Sequence, residues 1–133
     1  MARQATEKAE AFQKMNRKGD LVLPNAWDAA SARIFEEAGF AAIGTTSAGI
    51  AYGRGLCDGE RISREAMMRE IAVITASVDV PVTADIEAGY GTEPPDVAET
   101  IRQVIQAGVV GVNLEDNTHG QGVPHSSTAT RAI

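Results

Sequence analysis

The chain has 133 residues and a formal net charge of −6, and hydrophobic residues make up 44% of the sequence. This length is enough to bury one hydrophobic core, and the negative charge argues against a nucleic-acid or anionic-membrane partner. No apolar run approaches the roughly 20 residues of a membrane span, and the first residues lack a signal peptide's apolar segment. The lone cysteine, Cys57, excludes an internal disulfide and fits a cytoplasmic protein.

Hydrophobic periodicity predicts an opening helix followed by alternating strands and helices. Strands are predicted over residues 20–24 and 40–44, from Val80 to the acidic residues Asp85 and Glu87, and over 109–114. Helices are predicted over residues 6–18, 28–38, 63–78 and 92–108, with a loop over 50–61. The predicted N-caps of the last three helices are Asp28, Ser63 and Thr92. The inward stripe predicted for the last helix is Val97, Ile101, Val104 and Ile105. This order predicts a parallel sheet with right-handed crossovers. A helix should follow the fourth strand, but residues 117–133 contain no apolar period, and we expect an irregular polar tail there.

The third predicted strand ends in two acidic residues, Asp85 and Glu87, followed directly by Gly89-Tyr90-Gly91. Side chains at positions i and i+2 of a strand lie on the same side, so the two carboxylates should point together. Carboxylates held close together repel each other unless one is protonated or a cation bridges them. Hard oxygen ligands suit Mg²⁺ or Mn²⁺, so this spacing predicts a metal site at the strand's carboxyl end.

Two folds are compatible with four strand–helix units: an open dinucleotide-binding sheet and half of an eight-stranded barrel. A dinucleotide fold should show G-x-G-x-x-G after the first strand, but residues 24–28 read PNAWD, and no G-x-x-x-x-G-K-[ST] motif occurs. Acidic residues at the ends of the third and fourth strands favour a parallel β/α (TIM-type) barrel. Because a full barrel has roughly 250 residues, we expect only the first four β-α units, with residues 1–116 as the amino-terminal half.

Four segments together resemble the isocitrate lyase / phosphoenolpyruvate mutase superfamily. They are residues 24–33 (PNAWDAASAR), 44–51 (GTTSAGIA), 84–91 (ADIEAGYG) and 113–116 (NLED). The resemblance implies a β/α barrel that uses Mg²⁺ to cleave or form a C–C or P–C bond next to a 2-oxo-carboxylate, through an enolate. It also implies a small 2-oxo-acid substrate and a homo-oligomer, a dimer or tetramer of full-length subunits.

The resemblance assigns roles to individual residues. The metal ligands it implies are Asp85, Glu87 and Glu115, where Glu87 replaces the family's usual second aspartate and is one methylene longer. The substrate-binding residues it implies are Thr45, Thr46, Ser47 and Asp85. Ser47 and Asp58 are the implied catalytic residues, with Asp58 on a mobile loop that closes over the substrate.

This sequence departs from the family's lyases in one respect. Those lyases carry a catalytic cysteine in a K-[KR]-C-G-H loop after the E-D pair, whereas residues 117–125 contain no cysteine. We therefore expect that isocitrate and methylisocitrate are not the substrates. An alternative function stays open: a half-barrel exposes unpaired sheet edges, so the chain can also be interpreted as a catalytically inactive, truncated barrel fragment that self-associates.

Overall fold

The computed structural model describes residues 2–17, 19, 21–116 and 128–132, with the backbone alone at 2–4 and 128–132. Five strands form one sheet in the order of the sequence. They are β1 (Asn25–Ala26), β2 (Ile43–Thr45), β3 (Val82–Asp85), β4 (Gly111–Glu115) and β5 (Thr128–Ala132). Strands β1 to β4 are parallel, and β5 pairs antiparallel with β4. The predicted α/β class and parallel sheet are confirmed.

Five helices are described: α1 (Ala2–Arg17), α2 (Ala29–Glu37), α3 (Ser47–Gly53), α4 (Arg64–Ala76) and α5 (Pro94–Gln106). Helices α2 and α4 begin at the predicted N-caps. Asp28 Oδ1 accepts from Ser31 N at 2.7 Å, and Ser63 Oγ accepts from Ala66 N at 3.3 Å. The backbone N–H of Ser31 also lowers the pKa of Asp28 from its ordinary value of 3.8. In the described part of the chain, no helix is long and apolar enough to cross a membrane.

The main hydrophobic core lies between the sheet and helices α2, α4 and α5. The residues of α4 at spacings of four and three, Met67, Ile71 and Ile74, are fully buried there, as their periodicity predicts. A second cluster, formed by Phe12, Ala42 and Val110, joins α1 to residues that immediately precede β2 and β4. Helix α1 therefore packs near the amino ends of the strands, away from the carboxyl ends where the acidic residues lie.

The predicted first strand, residues 20–24, was placed too early in the chain over its described residues 21–24, and Asp20 lies outside the described residues. The strand β1 is Asn25–Ala26, and before it the pairing with β2 is extended by the carbonyl of Pro24, which accepts from Gly44 N at 2.9 Å. Leu21 and Leu23 instead pack against the cluster around Phe12. The apolar run was therefore a signal of packing against α1 rather than of pairing with the sheet.

The predicted loop over 50–61 and the predicted irregular tail both need correction. Residues up to Gly53 belong to α3, because the Thr46 side chain caps this helix and Ile50 is buried against the core. In the tail, β5 covers the outer edge of β4, whose backbone groups would otherwise lack partners. Residues 117–127 of the predicted tail lie outside the described residues.

Helix α5 differs from its prediction at its start and on its inner face. Its N-cap is Glu93 rather than Thr92, with no side-chain hydrogen bond at the cap. Ile105 was expected to face the core but is 52% exposed. The buried residues of α5 are Val104 and Thr100. Thr100 can be buried because its hydroxyl donates to the carbonyl oxygen of Gly89 at 2.6 Å.

Candidate functional site

The carboxyl end of β3 places Asp85 between β2 and β4. One oxygen, Oδ2, accepts hydrogen bonds from Ser47 N at 3.1 Å and from Ser47 Oγ at 2.7 Å. The backbone N–H of Asp85 donates to Thr45 Oγ1 at 3.0 Å. Thr45 and Ser47 are both buried. The structure therefore brings together three residues that the sequence assigned to substrate binding, and it shows that the Ser47 N–H and hydroxyl can hold a carboxylate oxygen.

Thr46 plays a different part in the same turn. Its hydroxyl accepts from Gly49 N at 3.2 Å and caps α3, while its backbone N–H donates to Ala26 O at 3.0 Å. These bonds join β1, β2 and the start of α3 at the carboxyl edge of the sheet. The hydroxyl of Thr46 is thus used to hold the turn, and its assignment to substrate binding stays a prediction.

Glu87 lies two residues beyond Asp85, and its side chain is only 1% exposed. Its backbone N–H donates to Asp85 Oδ1 at 3.1 Å, and its carbonyl oxygen accepts from Glu115 N at 2.7 Å. Its carboxylate accepts from the backbone N–H of Glu60 and, at 3.3 Å, from the Tyr90 hydroxyl. Glu87 therefore connects the ends of β3 and β4 to the loop that precedes α4.

Glu60 is a residue of this region that the sequence analysis did not single out. Its Oε1 accepts from the backbone N–H of Tyr90 at 2.8 Å. Burial, together with the nearby carboxylates of Glu87 and Glu60, raises the pKa of the Tyr90 phenol far above its ordinary value of 10.0. The phenol therefore stays protonated and serves as a hydrogen-bond donor. No periodic pattern marks Glu60, because its contacts are with residues 27 and 30 positions away.

The two glycines of the Gly-x-Gly turn, Gly89 and Gly91, lie too close to their neighbours for a side chain to fit without displacement. Gly89 has φ +95°, and a Cβ on it would lie 3.2 Å from Leu114 and Val97. A Cβ on Gly91 would collide with the Cβ of Asp96 in the first turn of α5. The two glycines thus let the chain turn sharply and bring α5 against the end of β3, as the pattern at 89–91 predicted.

The remaining predicted residues occupy the rim of the same edge. Glu115 is the last residue of β4 and is half-buried. Asp58 is exposed on the loop between α3 and α4, two residues before Glu60. The position of Asp58 places it on an element that contacts the site through Glu60, and its catalytic role stays a prediction.

The acidic side chains at this edge offer the kind of ligand that Mg²⁺ requires. Asp85, Glu87 and Glu115 offer hard carboxylate oxygens from adjacent strand ends. The backbone of Glu87 bonds to the Asp85 side chain and to the Glu115 N–H, so donor chemistry and placement fit. Within the described residues, however, no group of three or more His, Cys, Asp or Glu side chains is arranged to hold a metal. The Glu87 carboxylate is turned toward Glu60 and Tyr90. The assignment of the three ligands therefore stays a prediction.

The parallel β/α units and the acidic carboxyl edge are those of a β/α-barrel fold. The sequence profile of the phosphoenolpyruvate phosphomutase family matches residues 12–133, so the chain belongs to this family. This confirms the resemblance to the isocitrate lyase / phosphoenolpyruvate mutase superfamily and the prediction of a partial barrel.

Four relatives illustrate the range of the family. An uncharacterized protein of Mycobacterium tuberculosis is 39% identical over 92% of this chain and 46% of its own length. The 2-methylisocitrate lyase of Bacillus subtilis is 32% identical over 83% of this chain and 36% of its own length. The structure of a candidate phosphonomutase from Burkholderia cenocepacia J2315 has a TM-score of 0.85 and 44% identity, over 88% of this chain and 48% of its own. The structure of oxaloacetate acetylhydrolase with its product oxalate has a TM-score of 0.79 and 29% identity, over 90% of this chain and 43% of its own. The chain spans less than half the length of each.

Proposed function

We propose that this protein is a Mg²⁺-dependent lyase or mutase that cleaves or forms a C–C or P–C bond next to a 2-oxo-carboxylate, through an enolate. The observation that carries the proposal is the position of Asp85, held by Ser47 at the carboxyl edge of the sheet, with the backbone of Glu87 bonded to Asp85 and Glu115. The relatives include a 2-methylisocitrate lyase, a candidate phosphonomutase and an oxaloacetate acetylhydrolase, and the 2-oxo acid named in the last supports the proposed substrate class.

In this proposal Asp85, Glu87 and Glu115 hold Mg²⁺. The bound cation would act as a Lewis acid toward the oxo and carboxylate oxygens of the substrate. The carboxylate oxygens of Glu87 can each accept more than one hydrogen bond. Their bonds to the loop and to Tyr90 are therefore compatible with a water-bridged contact with the cation.

The protein's own residues orient the substrate and exclude water. In this structure the N–H and hydroxyl of Ser47 hold an oxygen of the Asp85 carboxylate. We assign Ser47, with Thr45, Thr46 and Asp85, to substrate binding, where the Ser47 donors would be shared between Asp85 and the substrate carboxylate. Donors fixed in place before the reaction stabilise the negative charge that develops when the bond breaks. Asp58, on the loop beside this edge, would exclude water and assist the reaction while the loop lies over the substrate.

Oxalate, which mimics enolpyruvate, provides a direct test of the proposed site. We expect calorimetric titration of this chain to detect oxalate binding in Mg²⁺ and none after the metal is removed with EDTA. Acetate is the matched control, because it has one carboxylate and cannot chelate the cation through two groups. Equal oxalate binding with and without Mg²⁺, or no binding in either condition, would contradict the proposed function.

We also propose that copies of this chain associate. The sheet ends at β1 among the described residues, and large apolar side chains are exposed on α2, α4 and α5, namely Ile34, Val73 and Ile105. Exposed strand edges and apolar patches favour association. Sedimentation velocity should therefore detect a dimer or larger species, and a monomer with a cooperative thermal transition would contradict this. An associated species without Mg²⁺-dependent oxalate binding would favour the alternative of an inactive barrel fragment.

A further inference from the structure

Three hydrogen bonds form a closed ring between the loop of residues 54–63, here called the Asp58 loop, and the turn after β3. The backbone N–H of Glu60 donates to Glu87 Oε2. The Tyr90 hydroxyl donates to Glu87 Oε1 at 3.3 Å, and the Tyr90 backbone N–H donates to Glu60 Oε1 at 2.8 Å. Each residue of the ring thus contacts the other two, although Glu60 is 27 positions from Glu87 in the sequence.

The backbone of all three residues is in the left-handed region. Glu60 has φ 56°, Glu87 has φ 52° and Tyr90 has φ 59°, and they are the only non-glycine residues with positive φ in the described part of the chain. Such conformations are uncommon for residues with a side chain and persist where surrounding contacts hold them. Their coincidence in one ring indicates that the ring determines the path of both segments.

Burial makes this ring sensitive to the position of the loop. The Glu87 carboxylate is almost completely buried, and a buried carboxylate needs hydrogen-bond donors to offset the loss of water. One of these donors belongs to the Asp58 loop. Movement of the loop away from the turn would remove that donor, so the position of the loop is coupled to the solvation of Glu87.

We propose that Glu60 is a positioning residue, which with Glu87 and Tyr90 forms a latch that holds the Asp58 loop against the candidate site. The longer side chain at position 87 is part of this device, because an aspartate would withdraw its carboxylate from the Glu60 N–H. The function of the latch rests on the proposed role of Asp58. The existence of the latch does not depend on that role. The latch gives Glu87 a task in addition to its proposed place near the cation.

Amide hydrogen exchange, measured by NMR without metal or substrate, tests the latch directly. In Glu60→Ala the Tyr90 N–H loses its acceptor, and the exchange of the Glu60 and Tyr90 amides should accelerate about ten-fold, as expected for loss of one hydrogen bond to a charged group. Glu87→Asp should accelerate exchange at Glu60 in the same way. Glu60→Gln keeps an acceptor oxygen and the same backbone strain, so it should restore most of the protection.

The exposed Glu65 at the start of α4 provides a charge-matched control, and Glu65→Ala should leave both exchange rates unchanged. A second measurement uses the lone cysteine, Cys57, which is exposed in the Asp58 loop. A nitroxide label there should become more mobile in Glu60→Ala and not in Glu60→Gln. Unchanged exchange and unchanged label mobility in both Glu60→Ala and Glu87→Asp would overturn the latch.

The function of the latch is tested by adding Mg²⁺ and oxalate to the labelled protein. We expect Mg²⁺ and oxalate together to reduce the mobility of the Cys57 label in the parent chain. In Glu60→Ala the reduction should be at most half as large. An equal reduction in both would show that Glu60 has no positioning role. Because the exchange measurement contains no metal or oxalate, failure of the latch and failure of the proposed function are recognised separately.

Discussion

Replacing Asp85 with asparagine is expected to abolish the Mg²⁺-dependent binding of oxalate. The asparagine oxygen can still accept from the Ser47 hydroxyl, which donates to Asp85 at 2.7 Å in the parent structure, so the turn should keep its shape. The substitution removes the negative charge that the proposed site offers to the cation. Because changes outside the ligand shell already cost 10–100-fold in metal affinity, we expect a loss on the order of 100-fold or more.

The measurement is a titration with Mn²⁺ followed by electron paramagnetic resonance, with and without oxalate. Asp79→Asn is the matched control: it changes the charge by the same amount on an exposed turn before β3, and it should leave the affinity within about two-fold, as for surface positions in general. A thermal transition close to that of the parent chain would show that Asp85→Asn is folded. Parent-like Mn²⁺ affinity in folded Asp85→Asn would refute the proposed metal site.

The helices of this fold could be predicted because their signals are local. Asp28 and Ser63 act as caps through side chains that reach only three residues along the chain. Ile71 and Ile74 repeat with the helical period and are buried. The limits of the strands were harder to predict, because a strand is defined by its neighbours. The apolar run at 21–23 could as well pack against α1 as pair with β2, and only the three-dimensional structure distinguishes the two.

The candidate site could be predicted in part, for a related reason. Strand alternation predicted that the carboxylates of Asp85 and Glu87 point together, but β3 ends at Asp85 and the backbone of Glu87 is left-handed, so the alternation does not extend to Glu87. The two residues are joined instead by the bond from the Glu87 N–H to Asp85 Oδ1. The contacts of Glu60 depend on the path of a loop and on a left-handed backbone at a residue that is not glycine. Neither property has a sequence signal at that position. The direction of the Glu87 carboxylate was therefore beyond what its spacing from Asp85 could predict.

Thr100 and Ile105 show the same limit within a helix. A purely apolar criterion placed Ile105 on the inner face of α5, yet the inner face contains the hydroxyl of Thr100, which is bonded to Gly89. The Gly-x-Gly turn thus sets the rotation of α5, because the turn supplies an acceptor that only a polar side chain can use. The helix and the candidate site are consequently parts of one packing arrangement rather than separate features.

Replacing Ile74 with alanine should destabilise the protein by about 2–5 kcal/mol, the range for large-to-small substitutions in a core. Ile74 is 0% exposed and belongs to the main cluster between the sheet and the helices, so its removal leaves a cavity behind β3. The neighbouring Val73 is 53% exposed on the same helix, and Val73→Ala should change the free energy of unfolding by less than about 0.5 kcal/mol.

Urea denaturation followed by circular dichroism measures both changes. Because native domains are stable by only about 5–15 kcal/mol, the loss in Ile74→Ala is expected to be a large fraction of the total. The pair Ile74 and Val73 separates burial from helix propensity, since both substitutions introduce alanine into α4. Equal destabilisation by the two variants would contradict this prediction. It would mean that the face of α4 that carries Ile74 does not form the core between this helix and the sheet.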